Sequence, residues 1–175
     1  DSLKEDNCDP QGMRVAVLGA GGAARAVVYA LARSGADSII VLNRTAERAA
    51  FLVDDLSEAF PASAMSFEAL TSRALAALES RVDLVVNTTS VGMYPRVDTA
   101  PWPPEVPMPP HMIFCDLVYN PLETVFLSQA RQAGAQTING LGRLIHQAAF
   151  GVEEWTGHRA PLEVRRQAGL SRLAE

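Results

Sequence analysis

The run Gly19-Ala20-Gly21-Gly22-Ala23-Ala24 has the residue types and spacing to hold a pyrophosphate. It fits the pattern G-x-G-x-x-A. It directly follows the apolar stretch MRVAVL at residues 13–18 and opens AARAVVYALARSG, which reads as a helix. In that context Gly19 permits a tight turn, Gly21 lets the backbone approach the phosphates, and Ala24 lets the helix pack close to the strand before it. The helix N-terminus adds unpaired N–H groups and the positive end of its dipole. Ala20, Gly22 and Ala23 lie in the same loop and join Gly19 and Gly21 as candidate cofactor contacts. The alternative is a glycine turn that serves packing alone.

A second constellation ends the next apolar run, SIIVL at residues 38–42. NAD enzymes usually place Asp or Glu here to bond the ribose 2′-hydroxyl. This chain has Asn43-Arg44-Thr45, with Arg48 one turn later. Two planar guanidinium groups suit the oxygens of a 2′-phosphate, and Thr45 with the helix it begins adds donors. The pattern favours NADP over NAD. The alternative is that Arg44 and Arg48 are solvated surface residues, since 14 of the 15 basic residues are arginine.

These residues need strands that end together and helices that begin there. Apolar strands are expected at residues 13–18, 38–42, 82–86, 112–118 and 136–138. Helices are expected from residue 23 to Gly35, at 45–59 with Thr45 as N-cap, within 67–80, and at 123–133 and 142–155, with Gly157 beyond the last. One more helix is expected within 161–173. Residues 95–110 hold seven of the eleven prolines and read as a surface loop. Near-continuously apolar strands alternating with helices imply an α/β fold of the Rossmann type: a doubly wound, mostly parallel sheet with helices on both faces.

The bulk numbers allow one domain with a sizeable core: 175 residues, 48% hydrophobic and 20% charged. A net charge of −5 argues against nucleic-acid binding, which needs a basic face. No stretch approaches the 18 or so apolar residues of a membrane span. Cys8 and Cys115 make no disulfide framework, so a reducing cytoplasm is expected, and Cys115 within MIFC reads as a small core residue. No metal site is expected.

Five blocks in order, VLGAGGAARAV, LNRT, NTTSVGM, CDLVYNPLETVFL and INGLGRLIHQAAFGVEEWTG, together make the chain resemble the C-terminal half of shikimate dehydrogenases. The resemblance covers roughly residues 11–170 and implies roles position by position. Thr88 and Ser90 of the Asn87-Thr88-Thr89-Ser90 block would lie beside the ribose and nicotinamide. Leu117 would back the nicotinamide, and Gly140 would let the backbone approach it. Tyr119 and Gln147 would face the substrate. Trp155, eight residues after Gln147, is expected in packing near the same face. His146 is tempting as an acid–base group, yet the family does not use that position and no catalytic partner is evident, so it reads as structural or solvent-facing.

The resemblance also implies what lies elsewhere. The family's catalytic Lys–Asp pair and its carboxylate-binding serines belong to an N-terminal substrate domain, absent from this sequence. Residues 1–12 read as the segment linking it to a Rossmann domain at 13–175, and the opening Asp1 suggests a processed or cut chain. The only lysine, Lys4, lies in that linking segment and outside the family's lysine motif. The implied reaction is NADPH-dependent reduction of 3-dehydroshikimate to shikimate, in aromatic amino acid biosynthesis, with the isolated chain inactive and prone to self-associate through the interdomain face. The alternatives are a quinate dehydrogenase or a non-catalytic ligand-sensing relative.

Overall fold

The computed structural model describes residues 2–158 and Gln167, so the helix expected within 161–173 lies outside the described residues apart from that one position. After a short helix, α1 (Ser2–Glu5), the chain alternates β1 (Arg14–Leu18), α2 (Gly22–Arg33), β2 (Ser38–Asn43), α3 (Ala46–Ser57), β3 (Ala64–Ala69) and α4 (Ser72–Ala76). It continues with β4 (Leu84–Asn87), β5 (Ile113–Asp116), α5 (Val125–Gln132), β6 (Gln136–Ile138) and α6 (Leu141–Thr156). The strands form one parallel sheet in the order β3-β2-β1-β4-β5-β6. The order reverses at β1, where the carboxyl ends of β1 and β4 open a crevice of the kind in which doubly wound sheets bind ligands.

The apolar strands split their residues between two cores with a period of two. Val15, Val17, Ile39, Val41, Leu84 and Val86 face α2 and α3. Ala16, Leu18, Ile40, Leu42, Val85 and Phe114 face α4, α5 and the proline-rich loop. That double burial is why these strands read as continuous apolar runs. Cys115 lies in the first core, as expected, and Cys8 is buried there too.

The proline-rich segment forms no helix or strand, and it is anchored. Trp102 is fully buried, its indole N–H donates to the Val106 carbonyl at 3.0 Å, and its ring meets Phe114 edge-on at 5.5 Å.

Two expectations hold only in part. The helix expected within 67–80 is there but short, the five-residue α4, and a strand not expected from the sequence, β3, precedes it and takes residues 67–69. Residues AMSFEA show no alternation of buried and exposed positions, because β3 is a largely exposed edge strand. The Ser38-to-Ala64 through Asn43-to-Ala69 ladder with β2 overrides local propensity. Thr45 does stand at the N-cap of α3, but its side chain makes no capping bond, whereas Thr71 and Thr124 cap α4 and α5 through theirs. Among the described residues no helix is long and apolar enough to cross a membrane.

Candidate functional site

The glycine loop leaves β1 at the crevice. Gly19 has φ +110°, a backbone conformation that side chains rarely adopt. A Cβ there would also stand 2.7 Å from the Thr88 hydroxyl oxygen. That hydroxyl donates to the Leu18 carbonyl at 2.7 Å, so Thr88 braces the loop from β4. Gly21 and Gly22 differ: a Cβ on either would meet nothing within 4 Å. Gly21 is the N-cap of α2 and offers no side chain to its first N–H groups. No side chain caps these donors and the space beside both glycines is open, an arrangement that suits a phosphate. Ala24 is fully buried against the sheet, in keeping with the close packing expected of it.

The end of β2 lies beside this loop, tied to it by the Gly19 N–H donating to the Leu42 carbonyl at 2.8 Å. Asn43, half-buried at the strand end, donates its side-chain amide to the Thr45 carbonyl at 2.9 Å, which shapes the entry into α3. Arg44 and Arg48 are exposed. Among the described residues neither is ion-paired, whereas Arg14, Arg25, Arg81 and Arg131 each hold a carboxylate. Arg48 shares an open hollow of about 330 Å³ with Ala20, Gly21, Gly22, Arg25 and Phe51. The Thr45 hydroxyl, unused as a cap, stands at the N-terminus of α3 close to Arg48, whose N–H donates to the Thr45 carbonyl at 3.1 Å.

On the other side of the crevice, β4 and β5 end in Asn87 and Asp116, which are register partners and fully buried. Asp116 Oδ1 accepts from the Asn87 amide at 2.9 Å and from the Val118 N–H at 3.0 Å, and Oδ2 accepts from the Thr124 hydroxyl at 2.7 Å. Asn87 Oδ1 in turn accepts from the Thr89 N–H and hydroxyl. Burial pushes the Asp116 carboxyl above its ordinary range, against the pull of those three donors. The network fixes the loops carrying Thr88, Ser90, Leu117 and Tyr119. Sequence reading quoted both strand ends without pairing them; the available signal was a polar residue closing each of two neighbouring apolar strands.

Gly140 comes against the end of β5. A Cβ there would fall on the Leu117 carbonyl, 2.6 Å from its carbon. The turn entering α6 thus packs backbone to backbone on β5, and Leu117 and Gly140 line one side of a second cavity of about 220 Å³ that extends to Val27 and Ala30 of α2. Neither Tyr119, 38% exposed, nor the exposed Gln147 lines either hollow. The substrate-facing role expected of both is therefore not seated in either of these two hollows.

Trp155 is 86% exposed, so the packing role expected for it is wrong: helical spacing places it on a face of α6 that has no neighbour among the described residues. Phe150 is exposed on the same helix. His146 is structural, its Nε2 lying 2.9 Å from Glu5 Oε1 and joining α6 to α1. Lys4 pairs with Asp9 at 3.3 Å within the segment before β1. Among the described residues no cluster of three or more His, Cys, Asp or Glu is placed to hold a metal.

The family model for shikimate / quinate 5-dehydrogenase matches residues 2–94, and that for the shikimate 5′-dehydrogenase C-terminal domain matches residues 140–168. Shikimate dehydrogenase (NADP(+)) of Moorella thermoacetica is 45% identical over 163 residues, covering 93% of this chain and 55% of that protein. The shikimate 5-dehydrogenase of Thermus thermophilus, solved with NADP(H) and shikimate, superposes with a TM-score of 0.80 at 32% identity, over 98% of this chain and 59% of that one. The quinate dehydrogenase of Corynebacterium glutamicum, solved with NAD, gives 0.86 at 29% identity over 97% and 59%. The chain thus spans little more than half the length of the relatives it matches. With its sheet order, its glycine loop and these matches taken together, the chain belongs to the shikimate / quinate 5-dehydrogenase family.

Proposed function

We propose that this chain is the NADP-holding part of a shikimate dehydrogenase, reducing 3-dehydroshikimate to shikimate together with a substrate-holding domain such as its longer relatives have room for. One observation carries the reading. The glycine loop opens onto the N-terminus of α2, which no side chain caps, and the neighbouring end of β2 carries Asn43 where a carboxylate would select NAD, with Arg44 and Arg48 unpaired among the described residues.

The residues present fit the dinucleotide. Gly19, Ala20, Gly21, Gly22 and Ala23 would take the pyrophosphate, and Asn43, Arg44, Thr45 and Arg48 the 2′-phosphate. Thr88, Ser90, Leu117 and Gly140 would line the ribose and nicotinamide end, and Tyr119 and Gln147 would touch substrate. When bound, the nicotinamide supplies the hydride donor or acceptor. This chain's part is to hold and orient it. The Asn87–Asp116–Thr124 network keeps the strand ends rigid, and Gly140 lets α6 start against Leu117. No residue here is assigned the proton transfer, which would fall to the family's Lys–Asp pair in the substrate domain. The exposed Phe150 and Trp155 on α6 would be covered by that domain, or by a second copy in its absence.

The test follows reduced nicotinamide by absorbance, with shikimate and NADP⁺. The 175-residue chain alone is expected to show no turnover, and activity is expected when a relative's substrate domain is joined ahead of it. Turnover by the chain alone, or none by the joined protein with shikimate or quinate while it still binds NADP⁺, would overturn the proposal.

A further inference from the structure

The hollow beside the glycine loop contains a third arginine. Arg25 stands in the first turn of α2, its N–H bonded to the Gly21 carbonyl at 3.0 Å, and its side chain lines the hollow with Gly21, Gly22 and Arg48. Unlike Arg48, it is engaged. Its Nη2 donates to Asp55 Oδ2 of α3 at 2.5 Å, across the groove between the two helices. Arg48 and Asp55 are seven residues apart on α3 and therefore share a face. That face presents near the helix N-terminus a cation with no ion pair among the described residues and, two turns on, an anion held by Arg25.

The side chains of the Arg25–Asp55 pair are 51% and 59% exposed. An ion pair so exposed contributes little to stability and exchanges partners readily. A phosphate monoester, with up to two charges and three oxygens, is a stronger partner for a guanidinium than a single solvated carboxylate. Asp55 thus masks one positive charge at the hollow and adds a negative one.

We propose that Arg25 is a third phosphate-facing cation of this hollow and that Asp55 is its resident competitor, so the pair sets how strongly the chain holds the 2′-phosphate of NADP. The inference rests on the proposed NADP reading. The pair sets the margin for the phosphorylated dinucleotide and leaves NAD, which lacks the 2′-phosphate, nearly indifferent to it.

Calorimetric titration of the 175-residue chain with NADP⁺ and NAD⁺, at low and high salt, tests this. Asp55→Asn is expected to tighten NADP⁺ about 3- to 10-fold and to leave NAD⁺ within about 2-fold, the gain fading at high salt. Arg25→Gln is expected to weaken NADP⁺ by a comparable factor, and Arg25→Lys to restore most of it. Thermal melts should place all three variants close to the parent, since the pair is exposed. If the parent prefers NADP⁺ but Asp55→Asn leaves that preference unchanged, or shifts both dinucleotides equally, the pair is only a strut between α2 and α3 and this inference falls alone. If the parent shows no preference for NADP⁺, the cofactor reading falls and this inference with it.

Discussion

Asn87 and Asp116 end adjacent parallel strands in register and bond to each other at 2.9 Å, both fully buried. Asp116 accepts two further bonds, from Val118 and Thr124, so one carboxyl gathers three donors that have no water to turn to. Asp116→Ala would leave them unpaired in the core at a cost on the order of 3–5 kcal/mol. Asp116→Asn, which keeps the Oδ1 acceptor for Asn87 and Val118, is expected to cost less. Urea denaturation of the two variants checks the order; equal losses would show that the network does not hold the strand ends.

The glycines of the site separate by what surrounds them. Gly140→Ala places a methyl on the Leu117 carbonyl and is expected to cost about 1–3 kcal/mol, because backbone must move. Gly21→Ala meets no neighbour and sits at φ −96°, which alanine accepts, so stability should stay within about 0.5 kcal/mol of the parent. Its methyl would stand where the dinucleotide phosphates approach, so binding should fall while folding does not. Paired melts and titrations of both variants check this. Unchanged binding in folded Gly21→Ala would mean that the open glycines serve the turn alone.

Arg14 grips Asp83 through its backbone N–H, Nε and Nη2, at 2.9, 3.2 and 2.7 Å, and the guanidinium holds the Asp83 carboxyl below its ordinary range. A carboxyl lowered in the folded state stabilises above its unfolded value, near 3.9, and loses that contribution as pH falls through the folded value. Asp83→Asn should therefore flatten the acid limb of a melting-temperature profile and change its slope little near neutrality. Asp116, raised by burial, works in the opposite sense: its contribution is full below the ordinary value and is lost as pH rises through the raised one. An acid limb of unchanged slope in Asp83→Asn would contradict the assignment.

What could be read from the chain follows from where each residue's environment is set. β1, β2, β4 and β5 were legible because burial on both faces makes their residues apolar, and the glycine loop because its small residues are demanded by local geometry. β3 was not, since an edge strand is held by a ladder that leaves its side chains in water. Gly140 was legible by resemblance, but its reason, contact with Leu117 across the chain, is a tertiary fact. The Arg25–Asp55 and Asn87–Asp116 pairs join residues about thirty positions apart and leave no spacing to detect. Trp155 misled because helical periodicity places a residue on a face without saying what covers that face.

The central claim is that Arg44 and Arg48 select the phosphorylated dinucleotide. Calorimetric titration of the 175-residue chain and of the Arg44→Ala and Arg48→Ala variants, with NADP⁺ and NAD⁺ at one salt concentration, tests it most directly. The parent should bind NADP⁺ more tightly than NAD⁺. Each substitution should cost about 1.5–3 kcal/mol of NADP⁺ binding per charge-assisted bond lost, with NAD⁺ nearly unchanged. Equal affinity of the parent for both dinucleotides, or equal losses for both in the variants, would contradict the account.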